Sequence, residues 1–144
     1  MTKRSWLLPW TFLIAGLVLG AGLQSTRAAG AEGAAKVFEI RTYHTFPGRL
    51  DALHKRFREH TMKMFEKHGM SNIGYWVPQD SPASGNTLIY VISHQSREAA
   101  RANWAAFVAD PEWKKISEAS QVDGKIVERI ESVFMDATDY SPIK

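Results

Sequence analysis

Cysteine is absent from the sequence. Disulfides, thiolate metal sites and cysteine nucleophiles are therefore excluded together, and stability has to come from burial of apolar surface. Other signals are missing too. There is no glycine-rich phosphate loop, no Ser-His-Asp order and no pair of carboxylates at the spacing of acid–base catalysis, so nucleotide-dependent and hydrolytic chemistries have no support. Nor does the body of the chain carry an excess of one charge. The formal charge is +3, but Lys3, Arg4 and Arg27 account for all of it, and from Glu32 onward 15 basic residues meet 15 acidic ones. A neutral domain without a basic run interleaved with aromatics does not read as a nucleic-acid binder.

Only one long apolar run is present, and it lies at the start. Lys3 and Arg4 precede an uncharged stretch of 22 residues from Ser5 to Thr26, followed by the small residues of Ala29-Gly30-Ala31. A charged start, an apolar middle and a small-residue end are the layout of a secretory signal peptide. Residues 1–31 are thus expected to be a leader that directs the chain to the periplasm or outside the cell. Its length, near the roughly 20 residues that cross a bilayer, leaves an uncleaved membrane anchor as the alternative. Residues 32–36 read as a linker.

From residue 37 to 136 the pattern is that of one domain. "KVFEIRTYH" alternates as a strand, with Phe38 and Ile40 on one face and Val37, Glu39, Arg41 and Tyr43 on the other. After Pro47-Gly48, the residues Leu50, Leu53, Phe57, Met64 and Phe65 fall near helical spacing, and Gly69 ends the helix as a left-handed cap. Strands follow in "SNIGYW", where Ile73 and Tyr75 are expected on one side and Trp76 on the other, and in "TLIYVISH". Ser96 is placed to cap a helix through residue 109, and Asp110-Pro111 to restart it. "KIVERIESVFM" is the last strand, with Ile126, Ile130 and Phe134 as buried candidates, and residues 137–144 form a tail. The order β-α-β-β-α-β predicts an α+β, ferredoxin-like fold with one antiparallel four-stranded sheet. Two helices cover one face of such a sheet; the other needs a partner. A homodimer with a barrel-like interior follows, and Glu39, Arg41 and Tyr43 are expected to project into that interior.

The segments "FEIRTYHTFPGRLDAL", "FREHTMKMFEKHGM", "GYW", "WAAFVADPEWKK" and "ESVFM", in this order over residues 37–136, resemble the NIPSNAP family, a branch of the dimeric α/β-barrel superfamily. The resemblance implies the fold and the dimer more than an activity. Relatives on the same barrel include cofactor-independent monooxygenases and haem-handling proteins. The best-known family members are mitochondrial or vesicle-associated. The export-type leader here departs from that, so those cellular roles are not carried over.

The polar face of the first strand holds the leading site candidates. Glu39 and Arg41 lie two residues apart and point the same way. Arg41 would bind a carboxylate or enolate, with Glu39 orienting it or acting as a base; the plainer reading is an ion pair that fixes dimer register. Of the five histidines, His54 and His60 lack metal-ligand spacing, and His44 and His94 end antiparallel neighbours at opposite ends of the sheet. His68 is accounted for by a helix end. His60 falls on the inward helical stripe and is the second candidate proton acceptor. Tyr43, Tyr75 and Trp76 are candidate ligand-lining residues, whereas packing accounts better for Trp104 and Trp113. The expectation is an exported homodimer that binds a small, acidic or aromatic organic molecule in its barrel interior. It acts either as a cofactor-independent oxygenase or isomerase, or as a noncatalytic module whose inner sheet face is only a dimer interface. No metal and no cofactor are expected, with haem left open. Nucleic acid is not a partner, and a membrane is one only if the leader stays attached. N-terminal sequencing of protein recovered from the host should begin near Glu32; an intact leader in the membrane fraction would replace export by anchoring.

Overall fold

The computed structural model describes residues 36–144, so the expected leader and most of the expected linker lie outside the described residues. Four strands, β1 (Val37–Thr45), β2 (Ser71–Trp76), β3 (Thr87–His94) and β4 (Val127–Asp136), form one sheet in the order β2-β3-β1-β4. All three ladders are antiparallel. The first helical segment runs as α1 (Leu50–Arg56), a π-helical turn (Phe57–Thr61) and α2 (Met62–Lys67); the second is α3 (Arg97–Ala109) and α4 (Pro111–Ala119). This is the expected ferredoxin-like arrangement.

The chemistry of the ends is local. Ser96 Oγ accepts the Ala99 amide at 3.0 Å and starts α3, and Asp110 Oδ1 accepts the Glu112 amide at 2.8 Å and starts α4 with Pro111 at its first turn. Gly69, at φ +74°, closes α2 in a conformation that side chains with a Cβ avoid. The core lies between the sheet and the helices. Phe57, Phe65, Tyr75 and Tyr90 meet there in edge and stacked contacts, with Leu53, Met64, Ile92, Phe107 and Ile126 filling the remaining space.

Four expectations are corrected. The first concerns which face of the sheet meets the helices. Tyr43 packs edge-on against Phe57, and Glu39 bonds to Trp104 of α3, so Glu39, Arg41 and Tyr43 point into the helix-covered layer and not into the open face. Alternation groups residues by face but does not say which group is covered. Both faces of β3 are apolar, so its sequence could not decide between them. The open face instead presents Ile40, Val91 and Val133 in one register row, with Val133 58% exposed.

The second correction concerns His60, which is exposed on the outer side of its helix beside Glu59. A π turn takes in one residue more than an α turn, and Thr61 therefore occupies the inward position that uninterrupted 3.6-residue spacing assigns to His60. The third is Ile130, which is 45% exposed because β4 is an edge strand. The fourth is the β2 alternation: the register shifts between Asn72 and Gly74, so Asn72 and Tyr75 share the covered side and their side chains hydrogen-bond to each other.

The register of the π turn is directly testable. Thr61 Oγ1 donates to the Arg56 carbonyl at 3.2 Å and is buried. Thr61→Ala should cost about 1–2 kcal/mol in denaturant unfolding, for one lost hydrogen bond and a buried methyl. His60→Ala should stay within about 0.5 kcal/mol, as surface changes do. A straight α-helix would reverse that order.

Candidate functional site

Strand alternation and register bring five polar side chains to one point. Glu39 sits mid-strand on β1, opposite Ile92 of β3 and Phe134 of β4; Arg41, two residues on, lies opposite Tyr90 and Ser132. The Glu39 carboxylate, 1% exposed, accepts hydrogen bonds from Arg41 Nη1 (2.7 Å) and Ser132 Oγ (2.6 Å) on one oxygen. Its other oxygen accepts from Trp104 Nε1 (2.7 Å) and His94 Nε2 (3.1 Å). An ionised carboxylate only accepts, so the His94 proton in this contact is on Nε2. Arg41 also lies over the Trp104 ring, 4.2 Å from its centre, and near Tyr43.

The electrostatics follow from this geometry. Burial by itself would raise the Glu39 pKa, but hydrogen bonds from His94, Ser132 and Trp104, with the Arg41 charge, overcome it and hold the group at about 2. Burial works against the Arg41 charge, and the Tyr43 and Tyr90 oxygens and Glu39 more than offset it. A carboxylate with four donors and a pKa this low is poorly matched to accept a proton near neutral pH. Glu39 is built to hold its neighbours in place.

Other polar atoms in this layer lack partners among the described residues. Tyr90 Oη, Arg41 Nε and His94 Nδ1 are buried without a hydrogen bond. Burial first, and then the Tyr43 phenol as a polar neighbour close to hydrogen-bonding range, push the Tyr90 pKa far above its ordinary value, although no atom meets full hydrogen-bond geometry at Tyr90 Oη. Leaving such atoms unpaired is costly.

Of the residues expected at the site, the structure thus brings together Glu39, Arg41 and Tyr43. Tyr75 belongs to the same layer but is locked in the core, stacked on Tyr90 at 5.5 Å between ring centres. Trp76 lies on the opposite face of the sheet, 52% exposed, its ring over Gly74 so closely that a Cβ there would stand 2.5 Å from it. His60 is remote from Glu39. His44 and His94 do sit at opposite ends of β1, paired with Thr87 and Val37. Among the described residues no three His, Asp or Glu side chains gather as a metal site. Tyr90, His94, Trp104 and Ser132 were missed. For Tyr90 and His94 a signal existed, because the β1–β3 pairing and alternation place them beside Arg41 and Glu39; Trp104 reads from sequence as an ordinary stripe residue.

The depressed Glu39 pKa predicts a pH dependence with a definite sign. Its ordinary value is 4.5 and its folded value about 2, so the folded state holds the proton less tightly than the unfolded chain. The stability it contributes is fully present above 4.5 and is lost as pH falls toward about 2. In Glu39→Gln this component should vanish, so the stability gap between wild type and variant should narrow across that range in pH-resolved denaturation. A constant gap would mean that Glu39 is not held ionised by its donors.

Comparison with known proteins places this geometry in context. No curated protein matches the chain. Among solved structures, a NIPSNAP family protein from Agrobacterium tumefaciens superimposes with a TM-score of 0.66 at 22% identity, over 77% of this chain and 96% of that one. A NIPSNAP-like domain protein from Burkholderia xenovorans gives 0.65 at 17% identity, over 76% and 90%. SnoaB from Streptomyces nogalater, described as a cofactor-independent oxygenase, gives 0.51 at 13% identity, over 76% and 99%. These likenesses concern the fold. The sequence model of the NIPSNAP family matches residues 38–142, a span that contains the whole Glu39 network and, apart from Val37 at the start of β1, every strand and helix described. The chain belongs to the NIPSNAP family.

Proposed function

We propose that the chain is an exported NIPSNAP domain that pairs with a second copy through the open face of its sheet. In the layer behind that face it binds a small polar organic molecule beside Arg41, Tyr43 and Tyr90. The observation that carries the binding reading is the set of buried, unpaired atoms at Tyr90 Oη and Arg41 Nε, two residues that face each other across the β1–β3 register. A guest with an acceptor for both would relieve the cost of leaving them unpaired. The pairing is supported by the apolar row of Ile40, Val91 and Val133 on a face that no helix covers. The polar anchors thus lie behind the sheet, and the open face is a packing surface, as the noncatalytic alternative requires.

Binding without catalysis is the reading we favour, and one observation distinguishes it. Both candidate proton acceptors are unsuited to the role: Glu39 is saturated with donors, and His60 stands on the outer side of its helix. Oxygenase chemistry of the kind named for SnoaB rests here on fold likeness alone.

Three experiments test the parts separately. Native mass spectrometry of the protein from its own host should show a dimer carrying a small molecule. Tyr90→Phe should raise the stability of the empty protein by about 1 kcal/mol, since an unpaired buried hydroxyl is removed, while lowering the retained-molecule occupancy. A Tyr90→Phe protein that is destabilised and retains its guest would remove Tyr90 from the site. Val133→Asp should leave a folded monomer in sedimentation; a persistent dimer would place the interface elsewhere.

A further inference from the structure

On the outer side of the same helices a second feature stands apart from the Glu39 network. Between α1 with its π turn and α4 lies a cleft of about 620 Å³, lined by Arg49, Lys55, Arg56, His60, Lys115 and Ser120 among others. Four of its lining residues are basic and two, Glu59 and Asp123, are acidic. At its floor is Arg56, 7% exposed.

Arg56 has no carboxylate partner among the described residues. Its contacts are a 3.4 Å approach of Nη1 to Ser120 Oγ and the Trp113 ring 5.5 Å away, and its Nε is buried without a partner. Burial lowers its pKa, and the groups that act against this are the phenols of Tyr43 and Tyr90, with no acidic side chain among them. The contrast with Arg41 is direct, since Arg41 shares the one buried carboxylate among the described residues, Glu39. Two enclosed guanidiniums therefore meet one enclosed carboxylate. A guanidinium keeps its charge in any accessible pH range, so the enclosed excess charge calls for an anion.

The π turn explains how Arg56 came to be enclosed. With the Thr61 hydroxyl held by the Arg56 carbonyl, consecutive residues Arg56 and Phe57 are both buried. Phe57 enters the core while Arg56 turns to the cleft floor. Such turns recur at functional sites.

We infer that the α1–α4 cleft is a binding site for a small anion whose planar carboxylate or phosphoryl head pairs with the Arg56 guanidinium. Lys55 and Lys115 at the rim raise the local anion concentration, and Ser120 supplies a hydroxyl beside the head group. This site does not depend on the layer behind the sheet holding a guest.

The test is calorimetric titration of the mature protein with benzoate and, separately, with inorganic phosphate, at an ionic strength fixed with sodium chloride. Saturable binding of at least one is expected, and the stronger arm identifies the head group. Arg56→Met should weaken it roughly 10-fold or more, the size of a lost hydrogen bond to a charged group. Ala119→Glu provides a second variant on an exposed position of α4 that lines the cleft. It offers Arg56 a carboxylate from within the chain, so it should abolish binding and raise the melting temperature. Lys115→Ala should weaken binding a few-fold. Absence of saturable binding to wild type in both arms, or wild-type affinity in Arg56→Met or Ala119→Glu, would overturn the site.

Discussion

One buried carboxylate organises this domain. Glu39 accepts hydrogen bonds from β1 itself, from β3 through His94, from β4 through Ser132 and from α3 through Trp104. Three strands and a helix are thereby tied to two oxygen atoms. Removing a charge from water costs several kcal/mol even after relaxation, and only a full set of donors offsets it. The arrangement is consequently selective: slipping β4 or β3 by one residue would carry Ser132 or His94 to the wrong face and leave the carboxylate unpaired. Specific registry, more than net stability, is what such a network supplies.

The network also separates the two faces of the sheet by chemistry. Behind the sheet, aromatic rings surround a polar centre, and phenols, a guanidinium and an imidazole share limited space. In front, Ile40, Val91 and Val133 form an aliphatic row, with Val133 exposed and the C-terminal tail beside Val91. An apolar row of that kind suits association with another apolar surface, whereas the polar layer suits recognition of a guest. In the function we propose, recognition behind the sheet would leave assembly and binding to different residues.

Much of the fold was legible because its signals are local. Ser96, Asp110-Pro111 and Gly69 mark helix ends by side-chain capping and a left-handed backbone, which depend on neighbours within a few residues. The order of elements then fixed the topology. What sequence could not show depends on non-local or subtle geometry. Alternation groups Glu39 with Arg41 but does not show that they lie beneath the helices, because the donors that make Glu39 tolerable there come from residues 55 to 93 positions away. The π turn changes the helical phase by one residue without a residue-type signal, which misplaced His60 and hid Arg56. The bulge in β2 did the same to Ile73 and Tyr75. Pairing His94 and Tyr90 with β1 was within reach, because topology and alternation together imply it.

In the function we propose, the polar groups behind the sheet are arranged for a guest. Electron density around Tyr90 Oη and Arg41 Nε, in crystals of protein purified from its own host, tests this most directly. The account predicts a small organic molecule whose acceptor atoms reach both groups while the four hydrogen bonds to Glu39 remain in place. Tight apolar packing against both atoms, or Glu39 turned toward the open face of the sheet, would contradict it.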